Sequence, residues 1–232
     1  MRRVARSWQA FAVVLVVWGN AAAYLAGTAI PVGWTGPLIG MALVAISLAW
    51  ARGQGLTLDE LGLGTSGLGR GAVVGLAFAL VSVAGALLVL RYPPLLGEAV
   101  SYTPLAAADA AGLALRVAVT MPLDTIAPEE VAFRAVLLGA LLRRYGATGA
   151  VVLSALAFAA WHAVIVSTTV AQTNLTVAGL FTVLGMAGAF LAVFAGGIAF
   201  AALRVRTRSL AAPLLAHWAF NGALLSGLRL LG

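Results

Sequence analysis

The chain contains no cysteine and no lysine, and only 9% of its 232 residues are charged. Without cysteine there is no disulfide, no thiolate nucleophile and no thiolate metal ligand. A soluble domain carries roughly 25% charged residues, so the shortage of charge is itself a signal. It is also unevenly spread. No charged residue lies between Arg6 and Arg52, between Arg70 and Arg91, between Arg144 and Arg204, or between Arg208 and Arg229. Apolar residues fill these gaps and make up 62% of the chain. A spanning helix needs about 20 mostly apolar residues. The first and third gaps each have room for two such helices, the second and last for one. A β-barrel would alternate with a period of two, whereas these runs are continuous. The chain reads as an all-α, polytopic integral membrane bundle.

All fourteen basic residues are arginine, and the net charge is +7. They cluster at the ends of apolar runs, where they meet lipid headgroups. The positive charge therefore points to the bilayer and not to nucleic acid. Hydropathy and breakers place helices at 8–30, 38–51, 70–90, 105–121, 129–144, 149–166, 175–203 and 210–230. That makes about eight spans, or seven if 105–121, which holds Asp109 and Arg116, fails to cross. The N-terminus imitates a secretory signal, but its apolar run continues to Ile30, long enough for a retained helix. Loops are expected at 51–70, 91–104, 167–174 and 204–209. The acidic pair Asp59 and Glu60 reads as a solvated loop face, and Arg204, Arg206 and Arg208 as headgroup contacts. With eight spans, Arg52 and Arg70 fall on the opposite side from Arg143 and Arg144, against the positive-inside rule. If 105–121 does not cross, the clusters share a side. No internal repeat is visible.

Polar residues inside the apolar runs are few enough to examine singly. The two histidines are His162, in "FAAWH", and His217, in "HWAFN". Residues at i and i+4 share a helix face, so His217 and Asn221 point the same way, and Glu130 and Arg134 are spaced for an ion pair. Glu129 is turned about 100° from Glu130 and lacks that partner. Counted from the basic helix ends at 1.5 Å per residue, Glu129 lies about 22 Å deep, His162 about 20 Å, Asn221 about 18 Å and His217 about 12 Å. Ionisable groups at membrane depth face the bundle interior and mark functional paths.

The ordered set "EEVAFR", "FAAWH" and "HWAFN" resembles the EExxxR, FxxxH and HxxxN pattern of the CAAX protease and bacteriocin-processing (CPBP) family. This group of intramembrane endopeptidases includes the type II CAAX prenyl proteases. The likeness covers residues 105–225, so 1–104 reads as N-terminal helices without catalytic motifs and 105–232 as the catalytic core of one integrated membrane domain. Ala135 stands where the family usually has glycine after the arginine, and Arg208 where glycine is common before "SL".

The resemblance implies that Glu129 and His162 activate a water against a peptide carbonyl. His217 and Asn221 would then stabilise the oxyanion, where each preorganised donor contributes about 3–4 kcal/mol. Glu130 and Arg134 would be structural, with Phe158 packed beside the imidazole. A zinc reading competes, since Glu129 or Glu130 with His162 and His217 makes a His₂Glu set. No HExxH motif is present, and the cofactor-free glutamate mechanism is favoured. Two further alternatives are a non-catalytic immunity or binding partner and an ion-coupled carrier using the same polar residues. Arginine-only, Ala/Gly/Val-rich usage suggests a GC-rich bacterial gene, hence a plasma-membrane enzyme acting on a peptide or membrane protein.

Overall fold

The computed structural model describes residues 4–28, 34–91, 100–105, 109–174 and 180–231. Eight helices account for nearly all of them, and no strand occurs among the described residues. They are α1 (Val4–Thr28), α2 (Thr35–Gly53), α3 (Leu68–Arg91), α4 (110–142), α5 (Ala147–Trp161), α6 (Ala163–Ala171), α7 (Leu180–Thr207) and α8 (Ala211–Leu231).

Four of these, α1, α2, α3 and α7, are long and apolar enough to cross a membrane, and α5 with α6 forms a fifth candidate bent by 51°. The other two long helices, α4 and α8, carry the ionisable and amide side chains, which dilute their hydropathy. The expected loop at 167–174 is mostly helix, because α6 continues to Ala171. Its hydroxyls are absorbed by the helix itself, Ser167 donating to the Ala163 carbonyl at 2.8 Å and Thr168 to that of Val164 at 3.0 Å. Most of the expected loop at 91–104, and the start of the 175–203 segment, lie outside the described residues.

The central element is α4, in which every residue from Pro128 to Leu141 is buried. It corrects the expectation of separate helices at 105–121 and 129–144, for the chain is helical without interruption from 110 to 142. Pro122 and Pro128 should have broken it, since proline lacks the N–H and clashes with the carbonyl four residues back. The helix widens instead into π turns at Arg116–Thr120, Pro122–Ile126 and Glu130–Leu137, which shift the pairing to the fifth residue back. The carbonyl that Pro122 cannot serve in that register is Val117, and the Trp218 indole N–H donates to it at 2.8 Å. A sequence-local defect is repaired by a neighbouring helix.

One end of the bundle gathers the arginines. Arg143, just past α4, donates to both carboxylate oxygens of Glu60 at 2.6 Å and to the carbonyls of Gln54 and Gly55. Arg204 is 4% exposed and donates to the Glu60 carbonyl, while the Gly62 carbonyl accepts from Leu210 N–H at 2.8 Å. The 54–64 loop is thus pinned to the ends of α4, α7 and α8. Glu60, on a loop face that is partly solvated as expected, is also a structural tie, and one expectation is corrected: Arg204 caps loop carbonyls and not lipid headgroups. The clusters at Arg52 and Arg70, Arg143 and Arg144, and Arg204 to Arg208 fall at one end of the bundle, which removes the charge conflict that eight spans created.

Candidate active site

Three pieces of chain meet in the interior. α4 supplies Glu129, Glu130 and Arg134, the break between α5 and α6 supplies His162, and α8 supplies His217 and Asn221. Glu129 Oε2 lies 3.6 Å from His162 Nε2 and 4.0 Å from His217 Nε2. His217 Nδ1 is 2.8 Å from Glu130 Oε1, and Asn221 Nδ2 is 3.2 Å from His217 Nε2. The residues that the sequence singled out therefore share one cluster, with Glu129 7% and His217 5% exposed.

The partners fix the ring protons, because carbonyl and carboxylate oxygens only accept. His162 Nδ1–H donates to the Phe158 carbonyl at 2.7 Å, leaving Nε2 as a bare acceptor beside Glu129. His217 Nδ1–H donates to Glu130, so its Nε2 is also an acceptor and takes an Asn221 amide N–H. Two ring nitrogens that carry no hydrogen and a Glu129 carboxyl oxygen consequently face one another. Glu129 Oε2 is buried without a protein hydrogen-bond partner. Such an acceptor cluster is suited to receiving protons from a molecule that enters it.

Glu130 and Arg134 form the ion pair expected from their spacing, Oε1 to Nη1 at 3.4 Å, and their side chains are 0% and 1% exposed. Arg134 gains little else from hydrogen bonding: neither Nη1 nor Nη2 has a hydrogen-bond partner. Aromatic faces hold it instead, with its Cζ 3.8 Å from the Phe158 ring centroid and 5.5 Å from that of Phe200. A desolvated cation–π contact is worth about 2 kcal/mol. Phe158 also packs against His162, ring centroids 4.3 Å apart, and Phe200 stacks on His217 at 4.9 Å and 25°.

A zinc held by Glu129, His162 and His217 would draw on the same three side chains. Among the described residues no group of three His, Cys, Asp or Glu side chains is placed to hold a metal ion. The His217 nitrogen that would turn toward one already accepts from Asn221.

Three features escaped the sequence reading. Glu130, expected to pair with Arg134 or to join the histidines at a metal, anchors His217 directly from another helix while keeping Arg134. Phe200 lies in an apolar run that gives no sign of its contacts with His217 and Arg134. Asn20 is a carboxamide in the middle of the apolar run of α1, and its side chain reaches the backbone on either side of His162. A lone polar side chain at membrane depth is the signal that should have drawn attention to it.

Comparison with known families gives one match. The model described as type II CAAX prenyl endopeptidase Rce1-like covers residues 107–223, half of the chain and all of the cluster on α4, α5, α6 and α8. No curated protein and no solved structure matches.

Proposed function

Because the chain belongs to the Rce1-like type II CAAX prenyl endopeptidase family, we propose that it hydrolyses a peptide bond of a membrane-associated protein or peptide through water activated by Glu129 and His162. The observation that carries this reading is the 3.6 Å separation of Glu129 Oε2 from His162 Nε2, the ring nitrogen left without a hydrogen. A water seated against both donates one hydrogen to each and keeps a lone pair for the carbonyl carbon. Glu129 takes the proton as the oxygen attacks, then returns it to the leaving nitrogen as the C–N bond breaks.

Asn221 and His217 act on the oxyanion as a unit. Asn221 has a second amide N–H beyond the one given to His217, and this hydrogen faces the developing negative charge. His217, anchored through Nδ1–H on Glu130, holds Asn221 in place. The neutral ring has no N–H of its own left to give, so the sequence-based role of direct donor passes to Asn221. Glu130 and Arg134 fix this scaffold from beneath.

The gathered arginines belong on the cytoplasmic side by the positive-inside rule. With α4 crossing once and α5–α6 crossing as a bent pair, the chain makes seven crossings in the bacterial plasma membrane, and the lipid bilayer is its permanent partner.

The test uses the purified chain in lipid nanodiscs with two probes: a farnesylated peptide ending in a CAAX sequence, and the same peptide without the lipid. Mass spectrometry is expected to show wild-type cleavage, little affected by chelation, and none by Glu129→Gln. Equal cleavage by wild type and Glu129→Gln would remove the glutamate from the chemistry. Activity lost on chelation and restored by zinc would replace the mechanism with a metal-dependent one.

A further inference from the structure

His162 stands where a helix breaks, and the break has an identifiable cause. In an unbroken helix the N–H of Val164 would donate to the carbonyl of Ala160, and the N–H of His162 to that of Phe158. Here His162 N–H donates to Ala159 and Val164 N–H to a side chain. Asn20 from α1 occupies the first gap: its Nδ2 donates to the Ala160 carbonyl at 2.9 Å, and its Oδ1 accepts from Val164 N–H at 2.8 Å. One carboxamide is thus inserted between the two backbone groups that would otherwise bond each other. A side chain entering the i to i−4 ladder is a recognised cause of sharp kinks, and here α5 and α6 diverge by 51°. α1 approaches closely enough because residue 19 is glycine. A Cβ there would lie 2.2 Å from the Trp161 ring.

The second missing bond is the one that matters chemically. His162 N–H donates to Ala159 at 3.0 Å instead, so the Phe158 carbonyl is free. It accepts the imidazole Nδ1–H at 2.7 Å. That bond turns the bare Nε2 toward Glu129.

We propose that Asn20 is a positioning residue for His162: by wedging open the α5–α6 junction it frees the Phe158 carbonyl, which sets the tautomer and aim of the imidazole. The N-terminal helices then contribute to the site although they carry no motif. The kinetic part of this inference rests on His162 acting with Glu129 on water, whereas the structural part does not.

Because the chain has only two histidines, a ¹⁵N-histidine spectrum of the full protein in nanodiscs reports both rings, and a His217→Gln sample assigns them. In the wild type His162 is expected as the Nδ1–H tautomer. Asn20→Leu keeps the size, removes the side chain's three hydrogen bonds (to Val16, Ala160 and Val164) and lets Val164 N–H close onto Ala160. Its His162 is expected to shift toward the Nε2–H form, with kcat for the farnesylated peptide down about 10²-fold and KM little changed. Should Asn20→Leu fail to accumulate, Asn20→Asp keeps the acceptor for Val164 and lacks the donor for Ala160, giving a smaller change of the same sign. An unchanged spectrum in either variant overturns the proposal, whatever happens to kcat. A shifted spectrum upholds it. If that shift comes with undiminished kcat, or with a wild type that cuts neither probe, what fails is the role of His162 in hydrolysis and not the wedge.

Discussion

Glu130 Oε1 lies 2.8 Å from His217 Nδ1, and this contact joins α4 to α8 at the floor of the site. The same oxygen is 3.4 Å from Arg134 Nη1. One carboxylate thus neutralises a buried guanidinium and orients an imidazole. Removing one partner of a buried ion pair costs about 3–5 kcal/mol, because the remaining charge is left uncompensated. Glu130→Gln keeps an acceptor oxygen for His217 but removes the charge opposite Arg134. Its membrane yield should fall, and its thermal midpoint in detergent should drop by about 10 °C or more, at roughly 2–4 °C per kcal/mol for a chain of this size. A midpoint within 2 °C of wild type (on the order of the effect of a 1 kcal/mol change) would show that the pair contributes little.

Glu129 should behave in the opposite way. Its Oε2 is buried without a protein hydrogen-bond partner, which is a cost to the fold, since a buried polar group without a partner loses about 1–3 kcal/mol. Glu129→Gln removes a charge from that position at nearly constant shape. The variant should lose peptide cleavage by about 10²-fold or more while its thermal midpoint stays level or rises. Activity and stability measured on the same preparation separate the two neighbouring glutamates: one substitution harms the chemistry alone, the other the fold. Loss of stability in Glu129→Gln would mean that this carboxylate is structural.

The cluster was legible in the sequence because its residue types are expensive in lipid and therefore stand out. Glu129, His162, His217 and Asn221 could be chosen from burial cost and helical spacing before any geometry was known. The cross-helix relations could not. Spacing rules see partners on one helix, so they pair Arg134 with Glu130 but give no direct bond from Glu130 to His217 on α8. Proline rules hid the continuity of α4, because the widening of a helix into π turns, and the rescue of Val117 by Trp218, leave no local trace. The 54–64 loop looked solvated since it is polar and glycine-rich. Its carbonyls are in fact acceptors for the buried Arg204 and for Arg143.

Arg208 shows how a departure from the family pattern acquires a physical meaning. It ends α7 with φ at 56°, the only positive-φ residue other than glycine among those described. A left-handed conformation costs a side-chain-bearing residue about 1–2 kcal/mol, and helix ends commonly place glycine there. Arg208→Gly should therefore stabilise the protein, raising its thermal midpoint by about 2–4 °C after the entropic cost of glycine is included. Arg206→Gly, inside the last turn of α7, should lower it, since glycine in a helix interior is about 1 kcal/mol worse than a good helix former. Two substitutions two residues apart are expected to differ in sign. A destabilising Arg208→Gly would mean that the guanidinium holds something worth more than the backbone strain.

The last prediction concerns pH and the tie between the 54–64 loop and α4. The Arg143 guanidinium, bonded to both oxygens of Glu60 at 2.6 Å, holds that carboxyl down to about 2 from an ordinary value of 4.5. The Thr57 N–H and hydroxyl, at 2.8 and 3.0 Å, add to the effect. Across this interval the unfolded chain takes up a proton that the folded chain refuses. The contribution of the contact is therefore complete above pH 4.5, declines as pH falls toward 2, and is absent below it. Both side chains are about a third exposed, so solvent screening makes the effect modest and it should weaken further in high salt. Thermal midpoints of wild type and Glu60→Gln, recorded in detergent from pH 6 to pH 3, should differ most at pH 6 and converge toward pH 3. A difference that stays constant over that range, or grows as pH falls, would show that Glu60 stabilises the loop through something other than its charge.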